Sequence, residues 1–455
     1  MTSRQTIALL RQYESRNVMF TEPDGSWPIV WERAKGVHVW DAAGKKYLDL
    51  TAAFGVAAAG HANANVVRAG QKQMAKLLHA MGDVHPHALK AQLARELSRL
   101  TFERWAKAHR QPAVGGQQRG KVIFSNSGFE AVESALKTAI LATGRRGVIA
   151  FEGGYHGLGY GALNATHREH FRGPFRSQLR EFGHFLPFPV GDEVTSLKSK
   201  KNKNEAPHVV SCKEIELRLS QILRREKIGA ILVEPVQARG GINVPPPEFL
   251  PMLRKLCDEH GALLILDEIY TGFGRTGKWF ACEHSGVIPD LICLGKALTG
   301  GFPLSACVGR ADLMDAAWPA SNGEAIHTST FLGHPVGCAM ALAQIKEIQR
   351  LKLCDRSMML GEFLLQQLTT LHPPSSIRVS ARGLGLMAGI ELTLPNGKPA
   401  AERALNAVKA LLHRGYIFLP EGEHGNVIGF TPPLTITKEQ LATAISALKT
   451  ALSHG

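Results

Sequence analysis

The stretch Leu264–Ser305 reads LILDEIYTGFGRTGKWFACEHSGVIPDLICLGKALTGGFPLS and contains two short apolar runs that each lead to a charged residue. The first run, Leu263–Leu266, is followed directly by Asp267. The second run, Leu291–Leu294, is followed by a glycine and then by Lys296. Short apolar runs of this kind are typical of strands buried in a parallel sheet. Because ligands of open α/β sheets bind at the strand ends, we expect Asp267 and Lys296 to face one crevice.

A carboxylate and an amine that face one crevice suit pyridoxal phosphate chemistry. The lysine forms a Schiff base with the cofactor aldehyde, and the carboxylate keeps the pyridine nitrogen protonated. Each residue alone has an ordinary explanation, since a lysine after a glycine is usually solvated and an Asp-Glu pair after a strand usually caps a helix. The flanking sequence separates the two interpretations.

The flanking segments DEIYTGFGRTG (267–277) and LGKALTGGFPLSA (294–306) resemble the class III, or ω-type, aminotransferases among the fold type I pyridoxal phosphate enzymes. The resemblance extends from about Gly36 to the C-terminus. It implies an α/β fold whose large domain has a mainly parallel seven-stranded sheet covered by helices. It also implies a smaller α/β domain built from the N- and C-terminal segments. The expected boundaries are 1–75 and 341–455 for the small domain and 76–340 for the large, cofactor-binding domain.

The pattern of apolar residues along the chain agrees with a sheet covered on both faces, because short apolar runs alternate with helical patterns. The candidate strands are Val122–Ser125, Val148–Phe151, Ala230–Val233, Leu263–Leu266, Leu291–Leu294 and Ala306–Val308. A β-hairpin is predicted over Lys35–Leu50, and helical patterns cover Gln71–Leu97, Cys338–Leu371, Ala400–Arg414 and Lys438–Leu452. We expect Thr101–Gly120 and Leu197–Asn204 to be surface insertions.

Composition is ordinary for an enzyme, with 455 residues of which 44% are hydrophobic and 20% are charged. No apolar run reaches the roughly 18 residues of a membrane span. The first residues lack the apolar core of a signal peptide, so the expected location is cytoplasmic. Seven cysteines without a CxxC pair suggest reduced, buried thiols, and we expect Cys293 to be unreactive despite its nearness to Lys296.

The net charge of +14 raises the question of a nucleic acid or another anionic partner. Part of the excess is local, because LKSKKNKN (197–204) holds four lysines without interleaved aromatic residues. We therefore expect a solvated loop there and no nucleic-acid partner. The positive charge also suits acidic substrates and a phosphate-bearing cofactor.

The expected phosphate site is the start of a helix in FSNSGFEAVESALKTA (124–139), where unsatisfied backbone N–H groups and the helix dipole favour an anion. A Ser-Gly pair before a helix is usually only a cap. The resemblance assigns phosphate binding to the backbone amides of Gly128 and Phe129, with Ser127 beside them. In the neighbouring subunit of a homodimer or larger homo-oligomer, it assigns the same role to Thr330 in HTSTFLGHPVGCA.

The resemblance also supplies contacts to the pyridine ring. Tyr155 would stack on one face and Ile269 would press on the other, although both residues are also plausible core residues. Tyr270 takes the place where many relatives have glutamine near the phenolic oxygen, and its hydroxyl could keep that hydrogen bond.

Four residues are candidates for substrate binding. Arg382 matches the arginine that grips the substrate carboxylate in the family, because a guanidinium fork suits two carboxylate oxygens. Arg239, in VEPVQARGG, replaces a glutamate that pairs with that arginine in relatives, so it should favour acidic acceptors or point away. Phe54 and Trp27 are expected at the mouth of the pocket or in ordinary packing.

The resemblance implies a two-step amino transfer from an ω-amino acid, an ornithine-like diamine or a simple amine to pyruvate or 2-oxoglutarate. Aminomutases, racemases and a decarboxylating transaminase share these motifs and stay open. A basic binding protein with the same fold is disfavoured by the intact Lys296 and Asp267. His85 and His87 have some metal-like spacing, but no cysteine or carboxylate set accompanies them, so a loop or interface role and no metal are expected.

Overall fold

The computed structural model describes residues 1–22, 26–108, 119–190 and 211–454. Its strands are β1 (Trp31–Lys35), β2 (His38–Asp41), β3 (Lys46–Asp49), β4 (Gly120–Ser125), β5 (Gly147–Phe151), β6 (Gly183–Leu186), β7 (Ile228–Val233), β8 (Leu263–Asp267), β9 (Leu291–Leu294), β10 (Ser305–Arg310), β11 (Arg378–Leu384), β12 (Met387–Thr393), β13 (Tyr416–Ile417), β14 (Pro420–Glu421) and β15 (Val427–Phe430). Its helices are α1 (Ser3–Tyr13), α2 (Ala52–Gly55), α3 (Ala64–Lys76), α4 (Ala88–Leu100), α5 (Phe102–Ala108), α6 (Gly128–Thr143), α7 (Tyr160–Leu163), α8 (Glu169–Arg172), α9 (Cys212–Arg225), α10 (Phe249–His260), α11 (Ala311–Ala317), α12 (Pro335–Arg350), α13 (Leu353–Thr369), α14 (Ala401–His413) and α15 (Lys438–His454).

The central sheet has seven strands in the order β4-β10-β9-β8-β7-β5-β6. Strands β9, β8, β7, β5 and β6 are parallel, and β10 runs antiparallel to both of its neighbours. The expected mainly parallel, seven-stranded sheet is therefore confirmed. All six candidate strands occur in it, whereas β6 was not predicted because Gly-His-Phe-Leu is a short run with little apolar signal.

Both faces of the central sheet are covered, because successive residues of one strand belong to different cores. In β5, Ile149 and Phe151 pack in a core with α4, α9 and α10, while Val148 and Ala150 pack in a second core with α6. The middle strands are consequently apolar throughout, as in sheets with helices on both sides. This burial fixes the strand ends, and with them the residues that follow each strand.

Two smaller sheets join distant parts of the chain. The predicted hairpin is present as β2 and β3, with β1 on one side and the C-terminal strand β13 parallel to β3 on the other. The second sheet has the order β11-β12-β15-β14 and is antiparallel. The pairing of β13 with β3 supports a small domain shared by the two ends of the chain, while the boundaries at residues 75 and 340 stay a prediction.

Several expectations about helices and insertions were wrong. The helical pattern Gln71–Leu97 is divided between α3 and α4, and Cys338–Leu371 is divided between α12 and α13, where Lys352 has a positive φ of 49°. The expected insertion Thr101–Gly120 contains α5, which buries Phe102 and Trp105 against the core. The rest of that insertion (109–118) and LKSKKNKN (197–204) lie outside the described residues.

Among the helices of the described residues, none combines the length and the apolar character that crossing a membrane requires.

Candidate active site

Asp267 and Lys296 follow two neighbouring parallel strands of the central sheet. Asp267 ends β8, and its Cα pairs with that of Cys293 in β9, three residues before Lys296. Both side chains line a cavity of about 440 Å³, a volume within the usual range for small-molecule sites. Lys296 begins a 3₁₀ turn with a left-handed φ of 39°, a conformation that costs energy for a residue with a side chain. The structure therefore brings the two residues together at one crevice.

The Asp267 carboxylate is buried and held by two donors. His156 Nδ1 lies 2.8 Å from Asp267 Oδ2, and the backbone N–H of Ile269 donates to Oδ1 across 3.1 Å. Because an ionised carboxylate only accepts hydrogen bonds, Nδ1 of His156 carries the proton in this pair. The pair gives the carboxylate one orientation and leaves it with acceptor capacity for a further N–H group.

The Lys296 amine lies among charges of both signs. Burial lowers its pKa, Arg239 acts in the same direction, and Asp267, Glu234 and Glu421 oppose them. Its Nζ atom lies 4.6 Å from the centre of the Tyr270 ring. A lysine with a lowered pKa is more often uncharged at neutral pH, so this amine is a better nucleophile and proton carrier than an exposed one.

Helix α6 points its N-terminus at the same cavity. Gly128 and Phe129 line it, and their backbone N–H groups belong to the first turn, which has no acceptors within the helix. Ser127 donates its backbone N–H and its hydroxyl to Glu130 Oε2, across 2.7 and 2.9 Å. A Cβ at Gly128 would lie 3.0 Å from Ile269 Cδ1, so a larger residue there would push on the Ile269 side chain.

The predicted ring contacts lie around the cavity. Tyr155, Ile269 and Tyr270 all line it. The Arg239 guanidinium lies 4.7 Å from the centre of the Tyr155 ring. The Tyr270 hydroxyl lies 3.1 Å from Thr431 Oγ1, so in this structure it is directed at the residue that follows β15.

These residues together fit pyridoxal phosphate. A helix N-terminus suits the phosphate, an aliphatic and an aromatic side chain suit the ring faces, and a buried carboxylate suits a protonated ring nitrogen. The lysine amine in the same cavity suits the aldehyde. The fit rests on the cradle left by Gly128 and on the buried, doubly held Asp267.

The two arginine candidates have different surroundings. Arg239 lines the cavity, and no hydrogen bond or ion pair to its guanidinium is formed by the described residues. Arg382 is buried outside the cavity lining. It donates to Gly241 O, Ile242 O and Glu391 Oε2 across 2.5 to 3.0 Å. A substrate-binding role for Arg382 would need these bonds to be exchanged, and it stays a prediction.

Three further candidates do not reach the cavity lining within the described residues. Trp27 packs against the core cluster around Val39 and Tyr47. This agrees with the second of its two expected roles, ordinary packing. Phe54 has a left-handed φ of 61° and a side chain that is 53% exposed. Thr330 is also exposed, which leaves it available to a second subunit.

The profile of the family described as aminotransferase class-III matches residues 19–452. The chain is a class III aminotransferase. The chain is 35% identical to an acetylornithine aminotransferase of Methanosarcina mazei, over 96% of this chain and 95% of that protein. It is 36% identical to a 5-aminovalerate aminotransferase of Pseudomonas aeruginosa, over 92% of each chain, and 36% identical to a putrescine aminotransferase of Pectobacterium atrosepticum, over 94% and 83%.

Solved structures give the same result for the fold. The (S)-enantioselective ω-transaminase of Thermomicrobium roseum superposes with a TM-score of 0.84 at 27% identity, covering 99% of this chain and 98% of that one. Class III aminotransferases depend on pyridoxal phosphate, so this enzyme is a pyridoxal phosphate-dependent transaminase. A leucine/methionine racemase of Thermococcus litoralis is 32% identical over 94% of this chain and 91% of that protein, so the family also includes a racemase.

Sequence reasoning missed four charged or titratable residues of the site. His156 follows Tyr155 in FEGGYHG, and Glu234 follows β7 just as Asp267 ends β8, so both had a local signal. The Glu234 carboxylate lines the cavity and accepts the N–H groups of Tyr155 and Ala238 across 3.0 and 3.1 Å. Arg168 and Glu421 had no local sequence signal, because only folding brings these two residues near the site.

His87 and Cys293 have ordinary structural surroundings. His87 caps α4 and contacts Gly333 O at 2.8 Å, and the described residues contain no group of His, Cys, Asp or Glu arranged to hold a metal. Cys293 is buried, and a hydrogen bond with Cys307 and burial raise the pKa of its thiol well above the usual range. It is therefore a poor nucleophile.

Proposed function

We propose that this class III aminotransferase transfers the amino group of an ω-amino acid, an ornithine-type or other diamine, or a simple amine to pyruvate or 2-oxoglutarate. The observation that carries this substrate class is the Arg239 guanidinium in the wall of the cavity, beside Lys296 and without a hydrogen-bonding partner among the described residues. A free guanidinium next to the reacting amine suits the distal carboxylate of an acidic substrate. The relatives that act on acetylornithine, 5-aminovalerate and putrescine support the same class of donors.

When bound, pyridoxal phosphate supplies an aldehyde that takes up the amino group and a ring that withdraws electrons from the substrate. Lys296 Nζ would hold the cofactor and, once released, would carry a proton between the substrate carbon and the cofactor. The lowered pKa of Lys296 favours this role, because burial disfavours the charged form of the amine. Asp267 would hold the proton on the ring nitrogen, and His156 would keep the carboxylate in place for it.

The remaining cavity residues would bind and orient. The N-terminus of α6, at Gly128 and Phe129, would take the phosphate. Tyr155 and Ile269 would lie on the two faces of the ring. Glu234 positions this arrangement, because its carboxylate fixes the backbone on which Tyr155 stands and the loop that carries Arg239.

We also propose a homodimer or larger homo-oligomer in which Thr330 of one subunit completes the phosphate site of the next. Support comes from exposed apolar side chains, one of them in the cavity lining and another directly after Thr330 in the sequence. Phe54, Leu158 and Phe331 are 53%, 47% and 52% exposed, and Leu158 itself lines the cavity. Clusters of exposed large apolar residues commonly mark protein interfaces.

The substrate class is tested by Arg239→Glu. The purified enzyme is loaded with pyridoxal phosphate, and single-turnover loss of the absorbance band of the lysine-linked cofactor is followed with 4-aminobutyrate, ornithine, N-acetylornithine, alanine, glutamate and an aryl amine. We expect at least one donor to remove the band and an oxo acid to restore it. We also expect Arg239→Glu to weaken the use of glutamate and 2-oxoglutarate at least tenfold. Unchanged kinetics with both acids would contradict the role of Arg239.

The racemase and aminomutase alternative is distinguished by the products. A racemase or mutase returns an isomer of its single substrate and needs no oxo acid, whereas a transaminase converts the donor to a carbonyl compound. Chiral separation of the products without an added oxo acid decides between them.

A further inference from the structure

A second carboxylate, that of Glu421, lies beside the loop of Arg239. The Arg239 carbonyl oxygen accepts the backbone N–H of Gly422 across 3.1 Å, and it also accepts Arg168 Nη2 across 2.6 Å. Glu421 ends β14, directly before Gly422. These bonds join the segments that carry Arg239, Arg168 and Glu421 next to the cavity wall.

The Glu421 side chain is half-buried and has no fixed partner. Burial raises the pKa of its carboxyl group to about 7, and Arg239, Arg168 and Lys296 act against this rise while Glu234 adds to it. All four groups therefore act on the carboxylate. Yet no hydrogen bond or ion pair joins it to any residue in the described part of the chain. A Cβ at Gly429, on the neighbouring strand β15, would lie 3.3 Å from Glu421 Cγ, so this glycine leaves room for the Glu421 side chain.

The other two carboxylates around Lys296 are already engaged. Asp267 accepts from His156 and Ile269, and Glu234 accepts two backbone N–H groups. Glu421 is thus the one of these three carboxylates that keeps its full capacity to accept hydrogen bonds. A carboxylate that is partly withdrawn from water without a hydrogen-bonding partner is destabilised, and an incoming cation would offset that cost.

Arg239 offers the opposite charge in the same place. Its guanidinium lies 4.7 and 5.8 Å from the ring centres of Tyr155 and Phe171, a contact that holds the group without using its N–H donors. The cavity wall next to Lys296 therefore has one uncommitted cation, Arg239, and an uncommitted carboxylate, Glu421, lies behind the loop that carries it.

We propose that Glu421 binds the distal ammonium group of a diamine donor, while Arg239 binds the distal carboxylate of an ω-amino acid or of a dicarboxylic acceptor. The proposal rests on the proposed function and adds a specificity-determining residue to it. A diamine and a dicarboxylic oxo acid must use one active site in turn, and two distal groups of opposite charge need two different partners. Arg239 and Glu421 together provide one partner of opposite charge for each distal group.

The test compares putrescine with 4-aminobutyrate, which has a carboxylate in place of one aminomethyl group. We expect Glu421→Gln to lower kcat/KM for putrescine at least tenfold and to leave kcat/KM for 4-aminobutyrate unchanged or higher. Arg239→Gln should do the reverse. The matched control is Glu423→Gln, which removes an exposed carboxylate two residues away and should leave the ratio of the two donors unchanged.

Two results overturn the role of Glu421. One is an equal change for both donors in Glu421→Gln. The other is a wild-type enzyme that uses 4-aminobutyrate with an oxo acid but leaves putrescine untouched. Failure of the proposed function looks different, because then no donor of any class removes the absorbance band of the lysine-linked cofactor. Binding of glutarate to the cofactor-loaded enzyme, followed by calorimetry, gives a readout without turnover: it should tighten in Glu421→Gln and weaken in Arg239→Gln.

Discussion

His156 donates a hydrogen bond from Nδ1 to Asp267 Oδ2 across 2.8 Å, and both side chains are buried. The two residues come from different strand ends, since His156 lies in the segment after β5 and Asp267 ends β8. The bond fixes the direction of the one carboxylate that could hold a proton on the cofactor ring. It makes His156 a positioning residue that acts through Asp267.

Replacing His156 separates this positioning role from packing. We expect His156→Leu to lower kcat about tenfold or more, because a hydrogen bond to a charged group contributes about 1.5–3 kcal/mol. His156→Asn can still donate to Asp267 and should recover part of the loss. The absorbance maximum of the bound cofactor should shift in the leucine variant alone. His372→Leu, at an exposed histidine, is the control and should behave as wild type. Equal losses in the leucine and asparagine variants would count against the positioning role.

Stability and kinetic measurements together can decide whether Arg382 has a structural role or binds the substrate carboxylate. Because its donors satisfy the carbonyl groups of Gly241 and Ile242, Arg382→Met should lower the free energy of unfolding by about 2–4 kcal/mol. Arg378→Met removes an exposed arginine of the same strand and should change stability by less than about 0.5 kcal/mol. Chemical denaturation measures both. If Arg382→Met kept full stability and raised KM only for substrates with a carboxylate, Arg382 would be the substrate arginine.

The pH dependence of donor choice follows from the raised pKa of Glu421. Its carboxyl group is neutral below a pH of about 7 and negative above it. The ratio of kcat/KM for putrescine to that for 4-aminobutyrate should therefore rise as the pH increases through 7. Titration of Lys296 affects both donors and cancels in the ratio. Glu234, whose pKa burial also raises to about 7, still titrates in Glu421→Gln, so that variant separates the two carboxylates. In Glu421→Gln the ratio should be flat, and a flat ratio in the wild type would contradict the assignment.

The proposed sharing of the active site between subunits predicts an effect of Thr330 on cofactor binding. Thr330→Val should raise the dissociation constant for pyridoxal phosphate about tenfold, because one hydrogen bond to a charged phosphate is lost. Thr370→Val, at an exposed residue directly after α13, is the matched control. Fluorescence titration of the apoenzyme measures the affinity, and sedimentation measures the oligomeric state. A monomer that binds the cofactor normally would refute the exchange of Thr330 between subunits.

The sheet and its strand ends could be predicted because burial leaves a strong local pattern. The apolar runs before Asp267 and Lys296 placed both residues at one edge of the sheet, and β8 and β9 are indeed neighbours. The short strand β6 was not predicted because its first two residues, Gly183 and His184, give no apolar signal. The division of Gln71–Leu97 into α3 and α4 was missed although Gly82 and Pro86, two residues that favour breaks in a helix, lie between the two helices.

The substrate side of the site was harder to predict, because it depends on contacts between segments far apart in sequence. Arg382 looked free in the sequence, yet its donors are taken by the backbone of the loop that carries Arg239. Glu421 ends β14, and the next residue, Gly422, donates to the Arg239 carbonyl oxygen although the two residues are far apart in the sequence. No local motif marks Glu421. The nearby charges that determine such roles are visible only after folding.

The attachment of the cofactor to Lys296 is tested most directly by reduction and peptide mapping. Borohydride reduction of the pyridoxal phosphate-loaded enzyme converts a lysine-linked cofactor to a stable secondary amine. Trypsin does not cleave at the modified lysine, so the cofactor mass should appear on the single peptide 279–310, which contains Lys296. The cofactor on any other lysine, or an unmodified and cleaved Lys296 in a fully loaded enzyme, would contradict the account.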